Sequence, residues 1–446
     1  MRAGAQVLGG GLLGGGTLYL GYAVDRTEFW PLIVAATVAF AGYGLLLRYT
    51  AGSQLRKGLA IGLALRLALV FAFPRLSDDV YRFIWDGSLV LAGQHPFAEV
   101  PAYYMEPGRE AEFADPALFA RLNSPAYHSV YPPLLQGIFT FAVLLSPRSW
   151  YGAAVIMKLF LLLAEVGTVY LLCRLLRQFR RPMHHCLLYW LNPLILIEIT
   201  GNLHAEGLMV CFLLLSLFLL GRSKYAGAGG AMAVSIASKL LPLMLLPFLL
   251  RRLWRSSFWR YFIALGGVLL LLFLPLFLGS GLTDGFTGSL NLYFQKFEFN
   301  ASLYYLLRAY GFYDVGYNQI AEYGPLLARI ALGVILIAAL SDERTDWKSL
   351  PGRWLGAFVI YLLCATTVHP WYLSVPIALC CLTPWRYPIV WSYLILLTYA
   401  SYTTVPYREN LWLVGLEYVA VVAYFVAERG GQIKKGPRGI RADLVL

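Results

Sequence analysis

Apolar runs recur from one end of this chain to the other, and no other feature limits its fold as strongly. The runs lie near 4–24, 29–47, 58–73, 150–173, 183–200, 203–221, 260–279, 323–340, 354–368, 371–382, 387–404 and 411–427. A helix needs about 20 apolar residues to cross a bilayer, so the shorter runs must tilt or pack among neighbours. Only 13% of the residues are charged, against about 25% in ordinary globular chains. The sequence therefore predicts one all-α, multi-pass transmembrane domain over 1–446, with the first run as an uncleaved span.

The distribution of Lys and Arg predicts how these runs are oriented, because cytoplasmic loops carry the excess of positive charge. With both ends cytoplasmic, 132–146 outside and 225–250 as a short hairpin, Arg2, the cytoplasmic linkers and a basic tail over 428–446 hold 23 Lys and Arg. The outer loops then hold nine, and four lie inside spans. The net charge of +12 thus reflects membrane topology and gives no reason to expect a nucleic-acid partner.

The long outer segment 75–131 opens with an unusual density of charge, formed by Asp78, Asp79, Arg82 and Asp86. In a helix, Asp79, Arg82 and Asp86 share one face because they stand at i, i+3 and i+7. Paired acids at a membrane surface suit a general base or a metal site. They equally suit a solvated helix start, since Ser77 is a good N-cap and acids favour the first turn.

Nearly all the remaining unexplained polar residues fall on the same predicted outer side, which indicates a single cavity opening outward. They are His95, His128, Asn202, His204, Glu206, Lys296, Glu298, Asn300, His369 and Trp371. Two of these motifs also have a simpler interpretation. Gly201–Gly207 could be a polar turn at headgroup depth, and 369–372 could belong to an aromatic interface belt.

Lys239 lies in the middle of the apolar stretch 225–250. Placing a lysine in mid-membrane costs at least ~2.5 kcal/mol on insertion scales, so such residues mark cavities or anionic ligands. The sequence predicts a phosphate contact here. The alternative is a structural ion pair with Glu165 or Glu198. The six cysteines show no metal-binding spacing and indicate neither disulfides nor zinc.

A series of motifs resembles the GT-C glycosyltransferases, in particular the bacterial polyprenol-phosphate-mannose-dependent mannosyltransferases and, more distantly, the GPI-anchor enzyme that adds the first mannose. The motifs are Ser77-Asp-Asp-Val-Tyr-Arg-Phe-Ile-Trp-Asp-Gly87, Gly93-Gln-His-Pro-Phe97, Tyr131-Pro-Pro-Leu134, Asn192-Pro193, Asn202-Leu-His204, Lys239-Leu-Leu-Pro242 and His369-Pro-Trp371. They extend over residues 75 to about 372. The acidic pair is adjacent here, whereas the GPI enzyme type has Asp-x-Asp. The first two spans have no counterpart in the minimal family core.

The resemblance implies a GT-C-like bundle of about 12–14 transmembrane segments, with juxtamembrane helices in a catalytic outer loop over 75–131. It implies transfer of a hexose, mannose in this type, from a polyprenyl-phosphate donor to a lipid or glycan acceptor, with inversion. The reaction would take place on the non-cytoplasmic side of the inner (plasma) membrane. The family divides on whether a divalent metal, Mg or Mn, takes part.

The resemblance also implies roles for individual residues. Asp79 is the expected general base, because it stands three residues before Arg82 as in related enzymes, and Asp78 is the alternative or its partner. Phosphate stabilisation falls to Arg82, Lys239, Lys296 and His369, and the sugar or acceptor site to Asn202, His204 and Glu206. Asp86, His128, Tyr131 and Trp371 complete the predicted substrate-binding set.

Two other classes of function compete with this one. A lipid transporter or flippase would also need intramembrane charges and an outward cavity, but it predicts inverted repeats that the sequence lacks. A transferase of the O-antigen ligase or polymerase type normally carries its large outer loop late in the chain. In this sequence the acidic loop follows the third run.

Overall fold

The computed structural model describes residues 2–435 except 51–53, 110, 112, 255 and 280. Its α-helices are α1 (Arg2–Tyr22), α2 (Phe29–Tyr49), α3 (Leu55–Val70), α4 (Asp79–Leu91), α5 (Pro116–Phe119), α6 (Pro133–Leu145), α7 (Trp150–Gln178), α8 (Leu187–Trp190), α9 (Pro193–Ile195), α10 (Glu206–Leu220), α11 (Tyr225–Ser238), α12 (Ser256–Phe273), α13 (Leu282–Gln295), α14 (Leu303–Val315), α15 (Ile320–Leu340), α16 (Leu350–Cys364), α17 (Ser374–Cys380), α18 (Tyr387–Leu394) and α19 (Leu411–Lys435). The described residues contain no β-strand beyond one isolated bridge between Phe299 and Thr367. The prediction of an all-α polytopic membrane protein is confirmed.

Five helices in the described residues are long and apolar enough to cross a membrane: 29–49, 150–178, 257–277, 320–340 and 411–432. A sixth candidate is the bent pair Pro193–Gly201 and Glu206–Leu220, whose axes meet at 112°. Other predicted crossings form shorter helices, such as the 16 residues of α3 and the 15 of α16. By these criteria the structure supports fewer full spans than the 12–14 predicted.

The run 183–200 was predicted as one span, and the structure corrects this. The chain forms a short 3₁₀ turn, two single turns of α-helix and then a π-helix over Leu196–Gly201. Asn192 caps the second α-turn by accepting a hydrogen bond from the Leu194 amide, and Pro193 follows at its first position. A single π-turn often marks a functional site, because it places side chains at positions that a regular helix cannot.

The predicted basic tail over 428–446 begins as helix. Helix α19 continues without a break to Lys435, so residues 428–435 extend the last span as helix. Residues 436–446 lie outside the described residues.

Helix α4 packs across α6 and α7 and starts the outer segment. Gly87 allows close approach, because a Cβ there would stand 2.7 Å from the Phe139 carbonyl oxygen. The rings of Phe83 and Phe139 stack at 4.4 Å beside this contact. Full burial of such a side chain contributes about 1.5–3 kcal/mol. The packing fixes which face of α4 turns toward the rest of the outer segment.

Lys158 of α7 joins the end of α3 to the bend before α10. Its buried ammonium group donates to the carbonyl oxygens of Leu69 (3.1 Å), Gly201 (2.6 Å) and Ala72. Carbonyls at helix ends lack partners within their own helix, so one lysine here satisfies groups from two separate segments. It thereby brings the chain just before Asp78 next to the chain just before Asn202.

Candidate active site

The predicted polar face of α4 is present in the structure and is turned toward residues 123–129. Asp79 accepts a hydrogen bond from the Asn123 side-chain amide at 3.0 Å. Arg82 donates to the carbonyl oxygens of Ser124 (3.2 Å) and Tyr127 (3.0 Å). The helix itself begins at Asp79, two residues after Ser77, whose hydroxyl accepts from the Asp79 amide at 3.3 Å.

Arg82 and Asp86 form a buried ion pair whose side chains are only 4% and 1% exposed. Their atoms approach to 2.7 Å, and the second Asp86 oxygen accepts from Ser129 at 2.5 Å and Gln136 at 3.0 Å. We call Arg82, Asp86, Ser129 and Gln136 the buried network. Both charges are enclosed by protein partners, so the prediction that Arg82 and Asp86 contact substrate directly is corrected. Their contacts hold 123–129 against α4.

Asp78 and Asp79 lie at the start of α4, one turn before Arg82 of the buried network. Asp78 and Asp79 are both half-buried. Asp78 pairs with Arg26 from the loop after α1, and the Arg26 guanidinium stands 4.9 Å from the centre of the Tyr402 ring. Burial raises the pKa of Asp78 above its ordinary value, although Arg26 opposes the shift. Asp79 is bonded to a neutral amide, so its carboxylate is the less committed of the two.

The bend between the π-helix and α10 is bound to the segment that carries these acids. The side-chain oxygen of Asn202 accepts hydrogen bonds from the amides of Arg75 (3.3 Å) and Leu76 (3.1 Å). Asn202, His204 and Glu206 are buried, each no more than 3% exposed. A solvated polar turn at headgroup depth is therefore wrong for Gly201–Gly207.

Glu198, which the sequence suggested only as an alternative partner for Lys239, holds this bend together. Its carboxylate accepts from the Tyr399 hydroxyl at 2.7 Å and lies 3.3 Å from Nδ1 of His204. The same Nδ1 lies 2.8 Å from the Glu198 carbonyl oxygen, which places the proton on Nδ1. The buried Nε2 of His204 is then an acceptor, and it has no hydrogen-bond partner among the described residues.

An aromatic stack connects this bend with the motif at 369–371. The rings of His204 and Trp371 stack at 3.5 Å, and those of Trp371 and His369 at 4.4 Å. Phe299 continues the column 4.7 Å below His369. The two histidines each present one buried nitrogen that no described residue bonds. The stack gives Trp371 a more specific setting than an interface belt.

Lys239 lies at a break between α11 and a 3₁₀ segment over Leu241–Leu249. It forms an ion pair with Glu206, and its ammonium group stands 4.1 Å from the centre of the Tyr372 ring. Neither alternative partner holds, since Glu165 pairs with Arg66 at 2.7 Å and Glu198 bonds Tyr399. The Lys239 side chain remains 31% exposed and thus accessible.

Together these contacts link residues that are far apart in sequence at one end of the bundle. We call the group the mouth cluster, consisting of Arg26, Asp78, Asp79, Glu198, Asn202, His204, Glu206, Lys239, His369 and Trp371. From the sequence, Arg26 was only one of the nine basic residues assigned to the outer loops. Glu198 could have been identified by the rule that a carboxylate within an apolar run is costly and therefore functional or paired.

Besides Arg82 and Asp86, three predicted site residues lie outside the mouth cluster. The ring of Tyr131 packs against Phe83 at 4.8 Å within the core below α4. Lys296 is exposed just after α13. His128 is half-buried and lines a separate groove against α13.

The predicted divalent metal would need carboxylate ligands from the mouth cluster. Among the described residues, no three or more His, Cys, Asp or Glu side chains group closely enough to hold a metal ion. Asp78 and Asp79 are adjacent carboxylates, and Asp78 is already paired with Arg26. The part of the site that could contact a metal therefore consists of two acids, and metal dependence stays a prediction.

Comparison with known proteins identifies the family of this chain. Residues 20–255, more than half of the chain, match the model described as alpha-(1->6)-mannopyranosyltransferase, N-terminal domain. The chain belongs to this family. The matched region contains α4 and the bend before α10, and thus most of the mouth cluster, whereas His369 and Trp371 lie beyond it.

A curated relative agrees with the family. A stretch of 150 residues, 33% of this chain, is 24% identical to alpha-(1->6)-mannopyranosyltransferase B of Corynebacterium glutamicum. That stretch spans 24% of the relative's own length. The expected resemblance to GT-C mannosyltransferases is confirmed at the level of the family.

Proposed function

We propose that the protein is a membrane mannosyltransferase that moves one mannose from a polyprenyl-phosphate donor to an acceptor hydroxyl. One observation carries the proposal: in a chain of the alpha-(1->6)-mannopyranosyltransferase family, the contacts of the mouth cluster connect Asp79 and two histidines, whose nitrogens lack partners among the described residues, with segments that carry the cations Arg26 and Lys239. A donor with its lipid tail in the bilayer needs such a mixed site at headgroup depth.

Asp79 is the proposed general base. The acceptor hydroxyl gives its proton to the Asp79 carboxylate while the acceptor oxygen bonds to the anomeric carbon, and the bond from that carbon to the phosphate oxygen breaks. This direct displacement inverts the anomeric centre. Asp78 is less suited to accept the proton because its carboxylate already forms an ion pair with Arg26. A positioned base of this kind contributes about 10²–10⁴-fold in rate.

Lys239 and Arg26 are the proposed partners of the departing phosphate. The phosphate leaves with both electrons of the broken bond, and cations fixed near it stabilise the developing charge. Lys239 would exchange its ion pair with Glu206 for one with the phosphate. The unpartnered nitrogens of His204 and His369 then offer hydrogen bonds to the sugar or phosphate. If Mg²⁺ or Mn²⁺ binds, Asp78 and Asp79 would hold it and it would neutralise phosphate charge.

The proposed reaction faces the non-cytoplasmic side of the inner membrane. The charge distribution supports this orientation, because 23 Lys and Arg fall on the opposite side of the predicted topology and nine on the side of the mouth cluster.

The donor class can be tested with the purified protein in nanodiscs. Polyprenyl-phosphate-mannose should release polyprenyl phosphate in the presence of membrane lipid extract, while GDP-mannose at the same concentration should remain intact. Use of GDP-mannose alone would reject the lipid-linked donor. Consumption of neither donor would favour a transporter, which moves lipids without breaking this bond.

A further inference from the structure

A groove of about 550 Å³ lies between the outer segment and α13, apart from the mouth cluster. Its walls are residues 97–100 and 126–128 on one side and 281–289 on the other. Gly285 permits the close approach of the two walls, since a Cβ there would stand 2.0 Å from the carbonyl oxygen of Phe97. The size is that of a ligand pocket rather than of a packing gap.

Two residues that line this groove each have a buried polar side-chain atom without a hydrogen-bond partner among the described residues. Ser289 is only 2% exposed, and its hydroxyl has no hydrogen-bond partner among the described residues. Nδ1 of His128 is likewise buried and unpartnered. A buried polar atom without a partner costs stability, so two in one groove indicate a ligand that supplies their hydrogen bonds.

The chemistry of the walls selects the kind of ligand. The Tyr127 ring offers an aromatic face, and Ser289, His128 and Asp284 offer hydrogen-bonding groups of three types. Burial, followed by the Arg82 charge, lowers the pKa of His128, so its imidazole is neutral at pH 7 and can both donate and accept. No Lys or Arg of the described part of the chain lines the groove, which disfavours a phosphate or another anion.

A second cavity shows what an apolar ligand would require. It lies between α15 and α16 and is lined by side chains such as Met244, Ala331, Ile335 and Tyr361. That lining suits a hydrocarbon chain. The α13 groove differs from it because hydroxyl, imidazole and carboxylate groups interrupt its apolar surface.

The groove is also close to the proposed base. Asn123, which bonds Asp79, and Tyr127, which lines the groove, belong to one continuous segment. Four residues of chain span at most about 14 Å, so a bound ligand of a few rings could extend from one site to the other.

We propose that the α13 groove binds the saccharide part of the acceptor. This inference rests on the proposed transferase function and deepens it, because it gives the saccharide part of the acceptor a binding site of its own, apart from the mouth cluster. The groove holds sugar rings that precede the accepting hydroxyl, and Ser289 and His128 bond their hydroxyl groups.

The test measures binding without any donor, so it is independent of catalysis. Octyl α-1,6-mannobioside is titrated against the full chain in nanodiscs, with decanol as the apolar comparison. Gly288→Leu places a side chain where a Cβ now meets nothing within 4 Å, and should abolish binding by filling the groove. Ser289→Ala should weaken binding about tenfold, the upper range for one hydrogen bond. Gly137→Leu is the matched control, on an exposed and equally open position of α6.

The outcomes separate the two proposals. Saturable binding of the mannobioside that both groove variants reduce and Gly137→Leu preserves would support the groove as the acceptor site. Binding unchanged in Gly288→Leu and Ser289→Ala, equal competition by decanol, or no binding to the wild type would each overturn it. The donor assay decides the transferase function separately. Ser289→Ala keeps the test decisive if Gly288→Leu fails to fold.

Discussion

Helix α4 carries two sets of charges that look alike in sequence and differ in the structure. In the buried network, Arg82 and Asp86 use their charges on protein partners and are almost completely enclosed. In the mouth cluster, Asp79 is half-buried and its carboxylate accepts from a neutral amide, and His204 and His369 each have a nitrogen that bonds none of the described residues. The comparison teaches that a saturated charge holds the fold, whereas an unsaturated one beside it is available for a substrate.

The largest expected effect on activity comes from a substitution in the mouth cluster. Asp79→Asn should lower kcat/KM for mannose transfer by about 10²–10⁴-fold, because the amide cannot accept the acceptor's proton. Thermal stability should change little, since Asn keeps the contact with Asn123. Initial rates of polyprenyl phosphate release, normalised to folded protein, measure this. Asp115→Asn is the control, because Asp115 caps α5 in the same segment and Asn caps equally well.

The corresponding substitution in the buried network should lower the stability of the protein. Asp86→Asn removes one charge of a buried pair and leaves Arg82 uncompensated, which costs about 3–5 kcal/mol in such pairs. The melting temperature in nanodiscs should fall well below that of the wild type and of Asp115→Asn. An Asp86→Asn protein that is fully stable but inactive would place Asp86 with the substrate and remove the distinction between the two sets.

The ion pair between Lys239 and Glu206 tests whether the mouth cluster is truly available. Lys239→Gln should reduce kcat/KM for the donor by about 10²-fold, because a phosphate partner is lost. Glu206→Gln should have a smaller effect, since it releases Lys239 without removing its charge. Steady-state kinetics with varied donor concentration provide the comparison. Equal losses in both variants would indicate that the pair is only structural.

The smallest effect is the pH dependence of Asp78. Its pKa is raised in the folded state, so the ionised carboxylate opposes folding, and this cost disappears as the pH falls through the folded-state pKa. Asp78→Asn should therefore melt at or above the wild-type temperature at about pH 7.5, with the difference narrowing on acidification. Melting curves over a pH series check this. A variant that melts lower at neutral pH and recovers none of the gap in acid would contradict the assignment.

The sequence predicted the class of fold well, for identifiable physical reasons. Apolar runs and low charge indicate membrane helices whatever their packing, and helical spacing put Asp79, Arg82 and Asp86 on one face as found. Which of these charges are enclosed depends on Ser129 and Gln136, whose contacts come from tertiary packing. The polar turn at 201–207 was visible between the runs 183–200 and 203–221, whereas the π-helix over Leu196–Gly201 was not, because its residues also suit the end of a regular helix.

The ion-pair partners of the charged side chains were the least predictable feature of the site. Lys239 was expected to pair, if at all, with Glu165 or Glu198, and it pairs with Glu206 because the chain bends by 112° just before α10. Arg26 gave no sequence signal, since a single arginine in a short loop is normally solvated. Its role follows only from the position of α1 beside the outer segment.

The most direct test of the account is a single-turnover measurement of mannose transfer by Asp79→Asn and Asp86→Asn in parallel. Each protein is mixed in excess with polyprenyl-phosphate-mannose, and the rate is expressed per folded molecule, as judged by the melting signal. The account predicts a rate loss of about 10²-fold or more for Asp79→Asn, and a rate near that of the wild type for the surviving folded fraction of Asp86→Asn. Wild-type turnover by Asp79→Asn would contradict the assignment of the base.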